Sequence, residues 1–564
     1  MTEGLIPKTS SDLRQRKIII LKGVILALLV AFSGGTPGLM AAESSRLSIR
    51  IVDENGTTTP ARAWVDVNGQ RLFEPSDPDT VTPYARDRSF SCDGSFIMDT
   101  PAGNVVVHVE KGKEYLPVDL LIEITPGETV EKTIRLKRWI DMPSEGWYSA
   151  DLHVHLGQDD PRILRQLALA DDVHLVPAFT YWLRGRGETW ESQWPDVSFT
   201  KPIEVDSQHF ITRNNIEIER IDRDSIPGGT IGATFLYNLN LPVTAQVNGE
   251  HYPTDAALSR AAQAHSPGVV LDSDKPSWAE TVIGAALGAL DTIQVCHNHY
   301  HRDSTIAGGW GMIGPLAAGE SNMAVGDGLF HRTNNLYYRF LNCGFRLGVS
   351  GGSAIGVMPV ATGHHRVYAS IDGRFTAAKF WEAVKAGRSF ATTGPMLTLS
   401  ADGQIMGTTI SRTSKDPQPI HLLTTVRSIE SLESLQIVHN GRVVASLNLI
   451  KKDPAPVLEE ELRHALLTNR SGWIAARVFY RAQDGLLRQA HTSPIYVSID
   501  EKPIANIEDA QYMLRWIEVL EAIAREHPDR FPTKTEQEAV LANYDEARGI
   551  YSQIIRDAQD HWGD

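Results

Sequence analysis

Strictly alternating apolar and polar residues occur in two separate stretches of the chain and predict β-structure in both. The first stretch lies between 46 and 140, where the alternating runs include Leu47, Ile49 and Ile51, then Val105, Val107 and Val109. Residues two apart on a strand share a face, so each run buries one face of a sheet. The second stretch includes Ile474, Ala476 and Val478. We therefore predict a small β-sandwich at 43–145 and another at 396–502.

Between 146 and 395 short apolar runs alternate with stretches of helical periodicity. The pattern predicts helices at 161–171 and 254–264, and strands at 175–179, 269–271 and 292–295. This alternation over about 250 residues is typical of an α/β barrel. After the second β region, apolar residues at helical spacing, such as Met513, Trp516 and Leu520, predict a helical hairpin at 503–564 with its turn near Pro528.

Composition and net charge exclude several classes of protein and of binding partner. The chain has 564 residues, 42% of them hydrophobic, which excludes wholesale disorder. Its net charge of −15 argues against a nucleic-acid partner, because phosphate binding needs a basic surface. Its three cysteines, Cys92, Cys296 and Cys343, are too few and too far apart for a disulfide framework or a CxxC zinc site.

The N-terminus has the pattern of an export signal. Arg14, Arg16 and Lys17 precede an apolar run at 18–32, and small residues follow up to Ala42. This predicts a signal peptide at 1–42 and a periplasmic or secreted protein without membrane contact after cleavage. The alternative is an uncleaved anchor helix, for which the apolar run is short.

The strongest candidate for chemistry is the segment 151–155. On a strand, Asp151, His153 and His155 would share one face, with two imidazoles able to grip a metal ion. Asp151 could orient a histidine by accepting its other ring N–H. The alternative is a pair of surface histidines on an edge strand.

Three carboxylates extend this candidate site. Asp160 could curl back to a metal, although an Asp before Pro161 is also a standard helix N-cap. Glu217 and Glu219 would share a strand face, where one could bind metal or act as a general base. The alternative is an exposed acidic face neutralised by Arg220.

Further candidates follow predicted strands, where barrel sites collect their side chains. His265 precedes one such strand, and Asp272 and Lys275 come at the end of it. The next strand leads into 296–301, which contains Asn298, His299 and two more histidines. We predict that at least one of these histidines belongs to a metal site; the alternative is a solvated polar loop.

Together these residues resemble the CehA/McbA-type metallohydrolases of the PHP (polymerase and histidinol phosphatase) superfamily. The resemblance rests on the segments 151–155, 217–220, 272–278, 298–299, 341–344, 366–368 and 387–395. It implies a distorted (β/α)7 barrel with one to three metal ions and hydrolysis of phosphoesters or carbamate esters. The first β region also resembles the carboxypeptidase regulatory-like domain, through Pro60-Ala61-Arg62.

The resemblance carries over residue by residue. His153 and His155 match the opening ligands, Asp160 a frequent further ligand, and Glu217 or Glu219 the bridging carboxylate; His265 and His299 match two later histidines. Two motifs of the family are missing. The run 177–182 lacks an Asp-His pair, and 350–355 replaces the closing Asp-x-His. These departures imply one metal ion or a reduced two-metal site.

We therefore expect an exported hydrolase that uses a divalent ion, zinc first, with manganese or iron as alternatives. Glu219 or Glu217 would accept a proton and Lys275 would stabilise an oxyanion. Asp151, Asp272 and Asn298 would support the ligands without binding the ion. The substrate would be a small molecule or a glycan, and the sequence leaves the oligomeric state open. The alternative is a catalytically reduced barrel that binds a glycan or a surface partner outside the cell.

Overall fold

The structure is a computed structural model that describes residues 44–563, except 77–79, 81–87, 156–159, 185–196, 223–229, 242–249, 302–325, 416, 451–456 and 483–484. The predicted signal peptide at 1–42 lies outside the described residues. The described chain is a mixed α/β protein, built mostly of strands in large sheets, with seven α-helices. None of the helices described is both long and apolar enough to cross a membrane.

The N-terminal lobe consists of two sheets packed face to face. Its strands are β1 Ser45–Val52, β2 Ala61–Val67, β3 Gln70–Leu72, β4 Phe90–Cys92, β5 Ser95–Thr100, β6 Gly103–Glu110, β7 Val118–Ile124 and β8 Thr129–Arg135. One sheet has the order β5-β1-β8, and the other has the order β3-β2-β6-β7 with β4 on β2. The alternating residues predicted to be buried, such as Leu47, Ile49 and Val107, form the shared core.

The central lobe contains ten strands and five helices. The strands are β9 Trp147–Ala150, β10 Leu175–Arg184, β11 Ile203–Glu204, β12 Phe210–Ile221, β13 Thr230–Tyr237, β14 Val270–Ser273, β15 Thr292–Cys296, β16 Gly348–Gly351, β17 Arg366–Ser370 and β18 Ser389–Thr392. The helices are α1 Pro161–Ala170, α2 Asp255–His265, α3 Thr281–Ala286, α4 Asp327–Asn342 and α5 Ala377–Lys385. The helices predicted at 161–171 and 254–264 and all three predicted strands are confirmed.

Seven of these strands form a continuous row in the order β16-β15-β14-β13-β12-β10-β9. Six of them run in the same direction, and β13 is antiparallel to both of its neighbours. Just past β9, Val154 bridges Ala178 on one side and Ile355 on the other, so the two ends of the row meet. The carboxyl ends of the six parallel strands therefore surround a common centre.

The second β region continues the central sheet. Its strands are β19 Met396–Ala401, β20 Gln404–Ile405, β21 Thr409–Arg412, β22 Ile420–Ser428, β23 Leu432–His439, β24 Arg442–Asn448, β25 Leu458–Leu466, β26 Gly472–Arg481, β27 Leu487–Thr492 and β28 Ile495–Ile499. The four-stranded sheet β20-β19-β22-β25 packs beside them. The sequence predicted a boundary at 395/396, but antiparallel pairing of β18 with β27 carries the sheet across it.

The C-terminal helices are α6 Ile507–Glu526 and α7 Lys534–Trp562, as the helical stripe predicted. They pack on the outside of the row of seven strands. The Tyr551 hydroxyl donates to the carbonyl oxygen of Val282 over 2.9 Å, and Met513 and Trp516 share a core with α3 and α4. This hairpin therefore stabilises the central lobe through its contacts with α3 and α4.

Candidate metal centre

The candidate ligands meet where parallel strands end. His153 and His155 follow β9, Glu217 lies in the second half of β12, and Asp274 follows β14. Since these strands run in the same direction, their carboxyl ends lie at the same edge of the sheet. Gly352 lets the chain beyond β16 come close: a Cβ there would lie 2.4 Å from His153 Cβ.

His153, His155 and Glu217 form a compact group of three ligands. The two Nε2 atoms lie 2.9 Å apart, and Glu217 Oε2 lies 3.1 Å from His155 Nε2 and 3.8 Å from His153 Nε2. Metal–ligand bonds of about 2.0–2.1 Å in tetrahedral geometry put neighbouring ligands about 3.3 Å apart. The three side chains are at most 5% exposed. This group could therefore hold a metal ion with room for a non-protein ligand.

Asp274 is a residue that the sequence analysis did not assign. Its Oδ1 lies 3.4 Å from Nδ1 of His153, the ring nitrogen that faces away from the group. A carboxylate beside this nitrogen favours a proton on Nδ1 and leaves the Nε2 lone pair for a metal, although the two atoms are not in hydrogen-bonding geometry. Burial lowers the pKa of His153, and it outweighs the opposing effect of Asp274. The neutral ring is the form that binds metal.

A signal for Asp274 was present in the sequence. Asp272 and Asp274 alternate at the end of β14, and only Asp272 was among the predicted site residues. The structure places Asp272 deeper, where its carboxylate accepts from Ser350 Oγ at 2.6 Å, Thr292 Oγ1 at 2.8 Å and Gln294 Nε2 at 3.0 Å. Burial raises the pKa of Asp272 to about 7. It therefore ties three neighbouring strands together beneath the candidate ligands.

Asp151 supports the backbone, not a histidine ring, which corrects the prediction for it. Its carboxylate accepts from the amides of His153 at 3.1 Å, Ser353 at 2.9 Å and Gly363 at 2.7 Å. Because it points back at the main chain, it is turned away from the imidazoles. It joins the segment that carries the histidines to the chain beyond β16, in the place of the missing closing motif.

Lys275 and His299 lie beside the group. The Lys275 ammonium pairs with Asp274 and lies 4.5 Å from the centre of the Trp278 ring. His299 is buried with its ring edge toward Trp278, and burial together with the charge of Lys275 holds its pKa well below the ordinary value. Asn298 is buried, and its Oδ1 accepts no hydrogen bond from the described residues. His299 is outside the group of three found among the described residues.

Three predicted ligands lie elsewhere. Asp160 caps α1 by accepting from the Arg162 amide at 3.0 Å, so the helix-cap alternative describes it. His265 is exposed in the last turn of α2, so it is not a ligand in this fold. Glu219 is half-buried two residues beyond Glu217 and is not in the group of three. On the opposite face of β12, the guanidinium of Arg220 is buried against Asp255 and Glu280.

A second group of His and Asp lies at the other end of the strands. Asp172 and His174 precede β10, and His209 precedes β12; all three are buried, and their ligand atoms are close enough to hold a metal. The rings of His174 and His209 stack with centroids 5.4 Å apart. No motif drew attention to this group, because its members are far apart in the sequence.

The hydrogen bonds of the second group differ from those of the first. The Ser149 amide donates to Nδ1 of His174 over 3.0 Å, so the proton of the neutral ring resides on Nε2. Asp172 is paired with Arg138 at 2.8 Å. Burial disfavours charge on His209, but hydrogen bonds to Asp172 and Asp206 outweigh it and raise its pKa to about 9. These bonds favour an ion network in which His174 holds a proton on Nε2 and His209 is protonated.

Comparison with protein-family models and with curated proteins found no match for the chain.

Proposed function

We propose that the protein is a metal-dependent hydrolase whose centre is His153, His155 and Glu217. The observation that carries this proposal is the convergence of two Nε2 atoms and one carboxylate oxygen within 3.8 Å, with Asp274 behind His153. Three protein ligands with an open position are typical of catalytic zinc sites, whereas structural sites have four. Zinc is therefore the first candidate, with manganese and iron as alternatives.

The family proposal follows from the same residues. We propose that the row of seven strands is the distorted (β/α)7 barrel of the PHP superfamily in its CehA/McbA-type form. Three features support this: the position of the histidine pair after β9, the first strand of the row in chain order, Glu217 on the parallel strand β12, and Asp274 at a further strand end. The substrate would be a phosphoester or carbamate ester of a small molecule or glycan, and the protein would act after export.

A divalent ion held by this group would polarise a carbonyl or phosphoryl oxygen and lower the pKa of water. Around it the chain supplies fixed charges. Glu219 lies two residues beyond Glu217 on the same strand face, about 6–7 Å along the strand, which suits it to accept a proton. Lys275 would stabilise negative charge that develops on the substrate. Asp274 would hold both His153 and Lys275 in place.

The proposal is tested with metal-loaded protein and a panel of phosphoester, carbamate and amide substrates. Glu217→Gln should abolish hydrolysis and lower metal content. Glu219→Gln should retain metal and lose about a hundredfold or more in rate, typical of losing a general base. Glu131→Gln, at an exposed position on β8, is the matched control and should change neither. Metal-free protein after incubation with zinc, manganese and iron would overturn the proposal.

A further inference from the structure

The peptide bond that joins Leu152 to His153 lies outside the regular strands. β9 ends at Ala150, and the next backbone bridges are formed by Val154. Leu152 and His153 are nevertheless buried. A buried carbonyl oxygen needs a hydrogen-bond donor, and outside a strand ladder that donor must come from another part of the molecule. The donors to the Leu152 carbonyl therefore show which groups hold the histidine segment in place.

Side chains from two other strands donate to this carbonyl oxygen. The hydroxyl of Tyr237, the last residue of β13, is one donor. The other is Nε2 of Gln294 in β15, which lies 3.3 Å from the oxygen and also donates to Asp272 over 3.0 Å. Neither β13 nor β15 is next to β9 in the row of seven strands. These hydrogen bonds therefore cross the interior that the strands enclose.

The position of the Tyr237 hydroxyl is fixed because its ring stacks against two others. The ring is fully buried, and its centroid lies 4.9 Å from that of Trp381 and 6.1 Å from that of Phe179. Phe179 in turn contacts the rings of His153 and His155, at centroid distances of 5.7 and 5.3 Å. A phenylalanine at 237 would keep this aromatic packing and lose only the hydroxyl. The hydrogen bond can therefore be removed without opening a cavity.

We infer that Tyr237 is a positioning residue for His153, an inference that rests on the proposed metal centre. The peptide group is planar, so the Leu152 carbonyl and the His153 amide turn together. Asp151 accepts from that amide over 3.1 Å, and Tyr237 holds the carbonyl on the opposite edge of the plane. This limits the backbone rotations that would swing the His153 ring. Its Nε2 is thereby kept 2.9 Å from Nε2 of His155, and a metal site depends on such fixed ligand geometry.

The test compares Tyr237→Phe with Tyr551→Phe in the full chain. Both phenols are fully buried and both donate to a backbone carbonyl, that of Val282 in the case of Tyr551 in α7. Each substitution removes one buried hydrogen bond, so denaturant titrations should show similar losses of stability. We expect Tyr237→Phe to bind zinc about tenfold more weakly than the wild type, as for other groups that orient metal ligands, and Tyr551→Phe to bind it equally well. Competition with a chelator of known affinity measures both.

Cobalt(II) in place of zinc adds a readout that a purely structural role would not change, because its visible absorption depends on the number and arrangement of its ligands. We expect a cobalt spectrum in Tyr237→Phe that differs from that of the wild type, and an unchanged spectrum in Tyr551→Phe. Equal zinc affinity in the two variants, or an unchanged cobalt spectrum in Tyr237→Phe, would overturn the inference and leave the proposed function standing. A wild-type chain that binds neither zinc nor cobalt would overturn the proposed function, and the inference with it.

Discussion

The two histidine clusters lie at opposite ends of the same strands and contain similar residues. His153, His155 and Glu217 lie at the carboxyl ends, and Asp172, His174 and His209 lie at the amino ends. In the first, a carboxylate faces the remote ring nitrogen of His153. In the second, a backbone amide donates to the remote ring nitrogen of His174, and the carboxylate of Asp172 forms an ion pair with Arg138.

This difference assigns opposite chemistry to the same residue types. A carboxylate behind a ring holds the proton on the far nitrogen and frees the near one for a metal. An amide behind a ring takes the lone pair of the far nitrogen and forces the proton to the near one. We therefore expect a metal ion at the first cluster, and protons on the nitrogens that face one another in the second.

The largest expected effect is on hydrolysis. His155→Ala removes one of three ligands, and a metal ion supplies several kcal/mol of transition-state stabilisation, so the rate should fall about a thousandfold or more. Steady-state kinetics on the best substrate of the panel would measure this loss. His209→Gln should leave the rate at 25 °C within about twofold, because its ring is not near the reacting groups. Similar losses in both variants would remove the functional distinction between the clusters.

The second cluster should contribute to stability in a pH-dependent way. Since the folded pKa of His209 is about 9, above its ordinary value of 6.5, its stabilisation is complete below about pH 6.5 and is lost as pH rises through 9. The free energy of unfolding should thus fall by about 3 kcal/mol more in the wild type than in His209→Gln over that interval. Denaturant titrations at both pH values measure it. Parallel pH profiles would contradict a protonated His209.

Asp274→Asn tests the support behind His153. The amide can present its nitrogen to the ring and no longer fixes the proton on Nδ1, so metal affinity should weaken about 10–100-fold. Competition with a chelator of known affinity measures the change. Asp160→Asn is the matched control, since asparagine keeps the helix cap and the residue lies outside the cluster. Equal affinity in the two variants would show that Asp274 does not orient the ligand.

The smallest effects concern Asp160 and His265, two of the predicted ligands that the fold places elsewhere. Asp160→Ala should cost about 1 kcal/mol of stability through the lost N-cap and leave metal content unchanged. His265→Ala, at an exposed position, should change stability by no more than about 0.5 kcal/mol. Thermal unfolding with metal analysis checks both. Metal loss in either variant would show that the substituted residue contributes to the metal site.

The sequence predicted site residues best where metal-binding side chains alternate along a strand or follow its carboxyl end. His153 and His155 could be selected because alternation on a strand puts both on one face, and parallel strand ends converge. Alternation put Glu217 and Glu219 on one face as well, so it could not show that Glu217 rather than Glu219 joins the histidines. His265 was misplaced because a histidine before a strand lies at the amino end, away from that convergence. Asp274 was missed because alternation treats it and Asp272 alike, and only depth in the sheet separates them. The second cluster needed tertiary structure, since 35 residues separate His174 from His209.

Large-scale architecture shows the same limit. Period-2 and helical patterns predicted some of the elements in all four regions, because burial of one face is a local property of each element. The continuous sheet through β18 and β27 was not predicted, since the alternation of residues within a strand does not indicate which other strand pairs with it. Which strands pair across lobes is determined by packing between residues that are far apart in the sequence.

The most direct test is the metal content of purified wild-type protein, His155→Ala and His209→Ala after incubation with zinc and removal of excess metal. Each variant removes one imidazole from one cluster, so they are matched. We predict about one ion per chain in the wild type and in His209→Ala, and none in His155→Ala. Loss of the ion from His209→Ala with retention in His155→Ala would show that the metal lies at the other end of the strands.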